Sequence, residues 1–398
     1  MEQFSCAADL LRSRTPDVPV LCVRPHAAVR ATRWFRDNFP GRTLYAVKAN
    51  DAADILEALH GAGLRDFDAA SLDEIARIHT LPGAQAHVMN PVKSRALIRS
   101  AYFDYGVRTF AFDSAEELDK IIAETGGARD LTLMLRLICP NTHSEIPLEG
   151  KYGVALAQAA DLLTHARGVA GRLGLTFHVG SQAMSPEGFG EALHTTARYI
   201  ATSPARIDMV DVGGGFPACY PGLEPPPLGD FVTAITEAFD RLWVGEECEL
   251  WAEPGRALVA EAESVLVRVD ARRGRMLYIN DGAFGTLFDA AHANFTFPAR
   301  GLRAGTGVIE DAPASGFALF GPTCDSFDHL PGPFMLPANI AEGDYIEIGN
   351  VGAYGRVMAS PFNGFGKYER VIVTDEPMMS MYAPTAPDMQ ADRASALG

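Results

Sequence analysis

Between Thr43 and Glu253 the chain alternates eight times between a short apolar or β-branched run and a longer amphipathic stretch. Few architectures accommodate that rhythm. The runs are TLYAVKA (43–49), DFDAAS (66–71), AHVM (86–89), RTFAF (108–112), LTLMLRL (131–137), GLTFHV (174–179), RIDMVDV (206–212) and ECELWAE (247–253). Between them lie segments such as AADILEALHGAG, SLDEIARIH, SAEELDKIIAET and EGFGEALHTTARYI, where apolar residues recur at helical spacing. Several begin with Ser or Asp, whose side chains cap free N–H groups at a helix start. Asp113 or Ser114 does so before 115–124, with Glu116 and Glu117 complementing the dipole of the first turn. Strands alternating with helices imply a parallel sheet. Eight units in about 210 residues predict an α/β fold closed into a (β/α)8, TIM-like barrel. An open, doubly wound sheet satisfies the same count.

After Arg256 the pattern changes. ALVAEAESVLVRVDAR, RMLYIND, GFALFG and DYIEIGN read as strands, with turns at ARRG, LPGP and AEGD. We expect a C-terminal all-β domain joined by the N-terminal segment PVLCVR (19–24). The expected division is a barrel over 26–257 and a sheet domain over 1–25 plus 258–398. The tail from about Ala383, rich in Ala, Pro, Asp and Ser, is expected to fray.

Composition removes several function classes. The 398 residues include 34 basic and 50 acidic side chains, a net charge of −16, which argues against a nucleic-acid partner. No apolar stretch approaches the roughly 18 residues of a membrane span, and the start lacks a signal-peptide core. The six cysteines (Cys6, Cys22, Cys139, Cys219, Cys248 and Cys324) are scattered without a CxxC pair. That spacing suits the reducing cytoplasm, the expected location, and disfavours a structural metal site.

In a barrel, functional groups sit where strands pass into loops. The first run ends in Tyr45-Ala46-Val47-Lys48-Ala49-Asn50. Lys48 reads either as a strand-end lysine reaching solvent or as an amine made nucleophilic by a desolvated site. The sixth run ends in His178, followed by Val179, Gly180, Ser181 and Gln182. The seventh leads into Asp211-Val212-Gly213-Gly214-Gly215-Phe216-Pro217, whose glycines free backbone N–H groups for a phosphate nest or simply make a flexible turn. The eighth ends in Glu253-Pro254-Gly255-Arg256, an acid and a base that could face opposite ends of a phosphate-bearing heterocycle. Further on stand Asn280-Asp281-Gly282, Phe288-Asp289, Gly321-Pro322-Thr323-Cys324-Asp325-Ser326-Phe327-Asp328 and Gly352-Ala353-Tyr354-Gly355.

Taken together, AVKAN, DFDAAS, NPVKS (90–94), HVGSQ, GGGFP, EPGR, NDGAFG, GPTCDSFD, GAYG and FNGF (362–365) occur in one order. From about Leu44 to Phe365 the chain resembles the ornithine/lysine/diaminopimelate decarboxylases, pyridoxal-phosphate enzymes of the alanine-racemase-like fold type. The resemblance implies a homodimer with active sites shared between chains. It also implies roles. Lys48 matches the lysine that holds pyridoxal 5'-phosphate covalently, and His178 the histidine that stacks on its ring. Ser181, Gly213, Gly214, Gly215, Gly255, Arg256 and Tyr354 match the phosphate-binding set. Glu253 matches the partner of the pyridine nitrogen, and Asp68 and Arg136 match supporting polar positions. Cys324 matches a cysteine supplied by the partner chain, a candidate acid for reprotonating Cα.

The substrate implied is L-ornithine, with L-lysine left open as a further one, giving putrescine or cadaverine for polyamine biosynthesis. Diaminopimelate decarboxylases usually carry Cys-Glu where this chain has Cys324-Asp325. In the ornithine type that aspartate faces the distal amine, and Asp289 matches a second one with the same task. One methylene separates the two substrates, worth only about 1–3 kcal/mol in discrimination. Segments 139–151 and 290–302 are expected to shape the pocket. The alternatives are a diaminopimelate decarboxylase or racemase of the same fold, or a non-catalytic cofactor-binding regulator.

Overall fold

A computed structural model describes residues 1–382 apart from 243, 246 and 311. The expected frayed tail lies outside the described residues.

All eight runs are strands: Arg42–Ala46, Asp66–Asp68, Gln85–His87, Thr109–Phe112, Thr132–Arg136, Arg172–Thr176, Met209–Asp211 and Glu249–Ala252. We number them as the first to eighth barrel strands. Every ladder between them is parallel, and the eighth pairs with the first. A parallel bridge between Val88 and Phe110 links the third and fourth, completing the ring. The open-sheet alternative therefore falls. Ser71, Ser94 and Ser114 cap the helices Leu72–His79, Arg95–Phe103 and Ala115–Glu124, each accepting an N–H three residues on at 3.1–3.2 Å.

The barrel interior is filled. Leu44, Met89, Ala111, Met134, Met209 and Trp251 form a buried plug of their own. Gly174 makes room for it: a Cβ there would lie 2.4 Å from the Met134 sulfur and 2.6 Å from that of Met209. With the lower barrel packed, a cavity is left at the C-terminal ends of the strands.

The strand Val20–Val23 lies antiparallel to Glu263–Arg273 and parallel to Glu369–Val373, so the N-terminal segment is part of the C-terminal sheet. Arg24, 1% exposed, pins this junction through Glu347, Asp375 and Ser264 at 2.8–3.0 Å. One expectation needs correcting. ALVAEAESVLVRVDAR is not all strand: Arg256–Val259 is helical and Ala260–Ala262 a 3-10 turn before Glu263–Arg273 begins. Every residue from 256 to 262 is buried, so the run carries no amphipathic period that separates helix from strand. Among the described residues no helix is long and apolar enough to cross a membrane.

Candidate active site

A cavity of about 540 Å³ opens at the C-terminal mouth of the barrel, lined by Lys48, Asp68, Met89, Asn90, Arg136, His178 and Glu253. The ends of the first, second, third, fifth, sixth and eighth strands supply these residues.

Lys48 sits in a 3-10 turn, Val47–Ala49, directly after the first strand. Val47 and Ala49 are buried, so Lys48 alone turns into the cavity. Its Nζ lies 3.9 Å from Asp68 Oδ2, and its side chain is half exposed to cavity space. Desolvation in the mouth disfavours its charge, but Asp68, then Tyr354 and Glu253, outweigh this and hold the amine's pKa above its ordinary value. Burial pushes Asp68 upward despite Lys48 and the Met89 N–H, which donates to Asp68 Oδ1 at 3.4 Å.

His178 follows the sixth strand. Its Nδ1 lies 3.0 Å from the Gly180 N–H, an acceptor's position that leaves Nε2 as the protonated nitrogen. Burial, with Arg136 and Lys48 nearby, drives its pKa well below that of free histidine, so the ring is neutral. The Asn141 side chain donates to the His178 carbonyl at 3.1 Å and accepts from the Leu148 N–H at 3.1 Å. That ties the segment Pro147–Tyr152, which lines the cavity, to the histidine. Segment 139–151 thus shapes the cavity as expected. Segment 290–302 instead places Phe295 and Phe297 against Tyr220, each with ring centroids 4.6 Å away, beside Arg256.

The three-glycine turn is required sterically. A Cβ on Gly213 would meet the Phe177 carbonyl at 2.1 Å, and one on Gly214 would meet Glu253 O at 2.9 Å and His178 Nε2 at 3.0 Å. Gly213 and Gly215 also have φ of +68° and +103°, which suit glycine. Gly255 faces Ala46, Ala49 and the Tyr354 hydroxyl, which a Cβ would approach at 3.2–3.5 Å.

Arg256 is 3% exposed and gathers the remaining group: it donates to Ser181 Oγ at 3.4 Å and to the Tyr220 hydroxyl at 3.0 Å. The Tyr354 ring lies 5.2 Å from its guanidinium, and the Tyr354 N–H bonds Ala49 O at 2.9 Å, next to Lys48.

Glu253 is 4% exposed, and its Oε1 has no hydrogen-bond partner. Burial, then Asp211 and Asp68, raise its pKa well above the usual carboxylate range. A buried polar atom without a partner, aimed into a cavity, invites a ligand. The donor set fits pyridoxal phosphate: an amine for its aldehyde, a free carboxyl oxygen for its ring nitrogen, and the glycine turn with a guanidinium for its phosphate.

The lining of the Lys48 cavity does not include Ser181, the three glycines, Gly255, Arg256 or Tyr354, nor three further predicted residues. Asp289 pairs with Arg256 at 2.5 Å and does not line the Lys48 cavity. Cys324 is exposed, with Sγ 3.5 Å from Asn363 Oδ1. Asp325 accepts the Phe327 N–H at 2.9 Å. The loop that carries these two is held by Asp328, which accepts from Thr323 and Ala283 N–H at 2.9 and 2.8 Å. Sequence reasoning assigned no role to Asp211, Asn141 or Lys93. Position offered a signal for two of them: Asp211 stands two residues before the glycine turn, and Lys93 lies in NPVKS.

An amine, a neutral imidazole, a buried carboxyl and a glycine cradle at the mouth of a (β/α)8 barrel define a vitamin B6-dependent enzyme class. Comparison with known proteins agrees. Residues 26–260 match the model for the pyridoxal binding domain of pyridoxal-dependent decarboxylases, and residues 256–352 that for their C-terminal sheet domain. The chain is 32% identical over 344 residues to a lysine/ornithine decarboxylase of Selenomonas ruminantium, covering 84% of each chain. It is 32% identical over 364 residues to an ornithine decarboxylase of Panagrellus redivivus, covering 83% of this chain and 80% of that one. A lysine/ornithine decarboxylase from Vibrio vulnificus, solved with cadaverine, superposes with a TM-score of 0.78 at 27% identity, over 94% of this chain and 100% of that one. The chain belongs to the pyridoxal-dependent decarboxylases, and its cofactor is pyridoxal phosphate.

Proposed function

We propose that this basic-amino-acid decarboxylase acts on L-ornithine, with L-lysine as a second substrate, releasing CO₂ and putrescine or cadaverine. The observation that carries this reading is Cys324-Asp325, aspartate rather than glutamate after the cysteine, in a chain whose relatives include lysine/ornithine and ornithine decarboxylases. A distal ammonium leaving water needs a carboxylate beside it, and Asp325 supplies one.

That assignment requires a second copy of the chain. Cys324 and Asp325 stand on an exposed apolar face with Phe327 (75% exposed), Phe362 (41%) and Phe365 (42%). A patch of this kind marks an interaction surface. In the homodimer proposed here, each chain covers that face and lends its cysteine and aspartate to the partner's cavity. Residues 26–257, joined by Tyr354 from the sheet unit, then hold the cofactor, while the unit formed by 1–25 and the chain from 258 onward also supplies the shared loop.

When bound, pyridoxal phosphate supplies an aldehyde that captures an α-amine and a ring that accepts the electron pair left by departing CO₂. Lys48 Nζ is the displaceable amine, and Asp68 keeps a carboxyl beside it for the proton it must gain and lose. Glu253, whose Oε1 is unpartnered among the described residues, would pair with the ring nitrogen, and the neutral His178 would pack on the ring without adding a charge there. Ser181, Gly213, Gly214, Gly215, Gly255, Arg256 and Tyr354 would hold the phosphate, Arg256 through the guanidinium that here pairs with Asp289. Arg136 offsets the carboxylates around Glu253. The Cys324 thiol of the second copy delivers a proton to Cα. The test is CO₂ release from L-ornithine, L-lysine and meso-diaminopimelate. We expect release from ornithine with a smaller rate from lysine, and release from diaminopimelate alone would overturn the substrate assignment.

A further inference from the structure

Lys48 stands on a turn too short to hold itself. The 3-10 turn Val47–Ala49 is bonded internally from the Asn50 N–H to the Val47 carbonyl at 3.0 Å. Turns of this kind have poor hydrogen-bond geometry and need outside support. The barrel gives some of it, since the Tyr45 hydroxyl donates to Asn50 O at 2.8 Å. The sheet unit gives more. The Tyr354 N–H donates to Ala49 O at 2.9 Å, and the Asn50 side-chain amide donates to Gly352 O at 2.9 Å. Asn50 Oδ1 accepts from Arg356 Nη2 at 3.2 Å, and the same Nη2 donates to Asp51 Oδ1.

The segment that makes these contacts is itself rigidly shaped. Tyr354 has a φ of +56°, a left-handed conformation that a tyrosine keeps only where its surroundings impose it. A Cβ on Gly355 would meet the Val351 carbonyl at 2.6 Å and that of Thr286 at 2.7 Å, so the chain must turn there without a side chain. Arg356 comes next. Its ion pair with Asp51 is mostly buried on both sides, where it is screened less than a surface pair. Arg77 approaches the other Asp51 oxygen at 3.7 Å, but it is half exposed and belongs to the barrel helix Leu72–His79, so it does not tie the two units together.

We propose that Arg356 is a positioning residue. By holding Asn50 and Asp51 from the sheet unit, it fixes where the Lys48 amine stands relative to Tyr354, and so the span between the amine and the phosphate end of the cofactor. This rests on Lys48 being the amine that captures the cofactor. Arg356 touches neither the cavity lining nor the phosphate set, and it acts through the backbone on either side of both.

The test uses the apoenzyme and two ligands. Pyridoxal phosphate can be captured by the lysine, whereas pyridoxine 5'-phosphate, the corresponding alcohol, can bind but cannot be captured. In Arg356→Met, capture at saturating pyridoxal phosphate, followed by visible absorption after mixing, should slow by roughly 10-fold or more, since a misplacement of about 1 Å can cost as much as roughly 10²-fold. Affinity for the alcohol should stay near the wild-type value, because the phosphate-holding residues are untouched. Arg356→Lys keeps a cation for Asp51 and should recover most of the rate. Wild-type capture in Arg356→Met overturns the proposal. So does a fall in affinity for the alcohol as large as the fall in capture, which would mark a general loosening of the fold. If Arg356→Met does not fold, Asp51→Asn tests the same contact from the barrel side. It should also slow capture, and an unchanged rate counts against the proposal. Borohydride trapping and peptide mapping keep the two levels apart. An adduct on a lysine other than Lys48 in the wild type defeats the reading of Lys48 itself. An adduct on Lys48 whose formation does not depend on Arg356 removes only the role of Arg356.

Discussion

At the barrel mouth, Lys48, Asp68, Arg136, His178 and Glu253 converge on one cavity. At the loop Gly321–Asp328, by contrast, Cys324 points outward with only Asn363 within hydrogen-bond reach. The two regions differ in how they are held. The mouth is built from the ends of consecutive parallel strands over a packed plug, so one chain folding correctly is enough to assemble it. The loop is fixed internally by Asp328, yet its chemistry faces exposed Phe327, Phe362 and Phe365. A site made of one finished half and one outward-facing half needs a second copy to become whole, and the halves can be tested separately.

The largest effect belongs to the mouth. Lys48→Ala should remove every cofactor adduct trapped by borohydride, read by intact-protein mass spectrometry. Turnover should fall by at least the top of the roughly 10²–10⁴-fold span typical of a lost acid–base group. Persistence of the adduct in that variant would place the anchoring amine elsewhere.

A smaller effect belongs to the loop. Cys324→Ala should keep the cofactor's colour and lower decarboxylation by roughly 10²-fold, with some product misprotonated. Mixing Lys48→Ala chains with Cys324→Ala chains is the sharper experiment. Random exchange in a twofold dimer gives about a quarter of sites with both residues intact, so activity should recover to about a quarter of wild type. No recovery under conditions where subunits demonstrably exchange would mean that the two halves meet within one chain, and the comparison drawn above would break.

The smallest effect concerns how rigidly the mouth is built. Lys93 is buried, with Nζ 3.0 Å from Glu117 and 3.1 Å from the carbonyls of Asn90 and Pro91, two residues that line the cavity. Burial, partly offset by Glu117, lowers its pKa from 10.5 to about 8. Between those values the unfolded chain binds the extra proton, so this lysine's contribution makes stability rise with pH above about 8. Below about 8 that contribution is flat. In Lys93→Met the rise should vanish, as measured by urea midpoints near pH 7.5 and pH 10. Matching slopes in the variant and wild type would show that Lys93 is not strained by burial.

Much of this was readable before any coordinates. The eight short runs fell on the eight barrel strands because most of their residues are buried and helix caps such as Ser71, Ser94 and Ser114 bound them. The run after Arg256 misled because seven consecutive buried residues carry no periodic signal. The glycine turn, Lys48 and Glu253 stood out as residue types that a packed strand end does not tolerate without a reason. Asp211 did not stand out, since an aspartate before glycines reads equally well as a turn residue. Its side chain is held by the hydroxyl of Thr176, 35 positions away, which only the pairing of the sixth and seventh strands brings alongside.

The order of apolar runs, caps and glycines determined the barrel and the kinds of group at its rim, because these follow from backbone propensity and burial within about ten residues of chain. Which groups touch was decided by closure of the ring: Lys48 against Asp68, the Glu253 N–H against Gly213 O, and Arg256 between Ser181 and Asp289. Those contacts set the charges at the site, since in a dry interior the state of each ionisable group depends on its neighbours across space rather than along the chain.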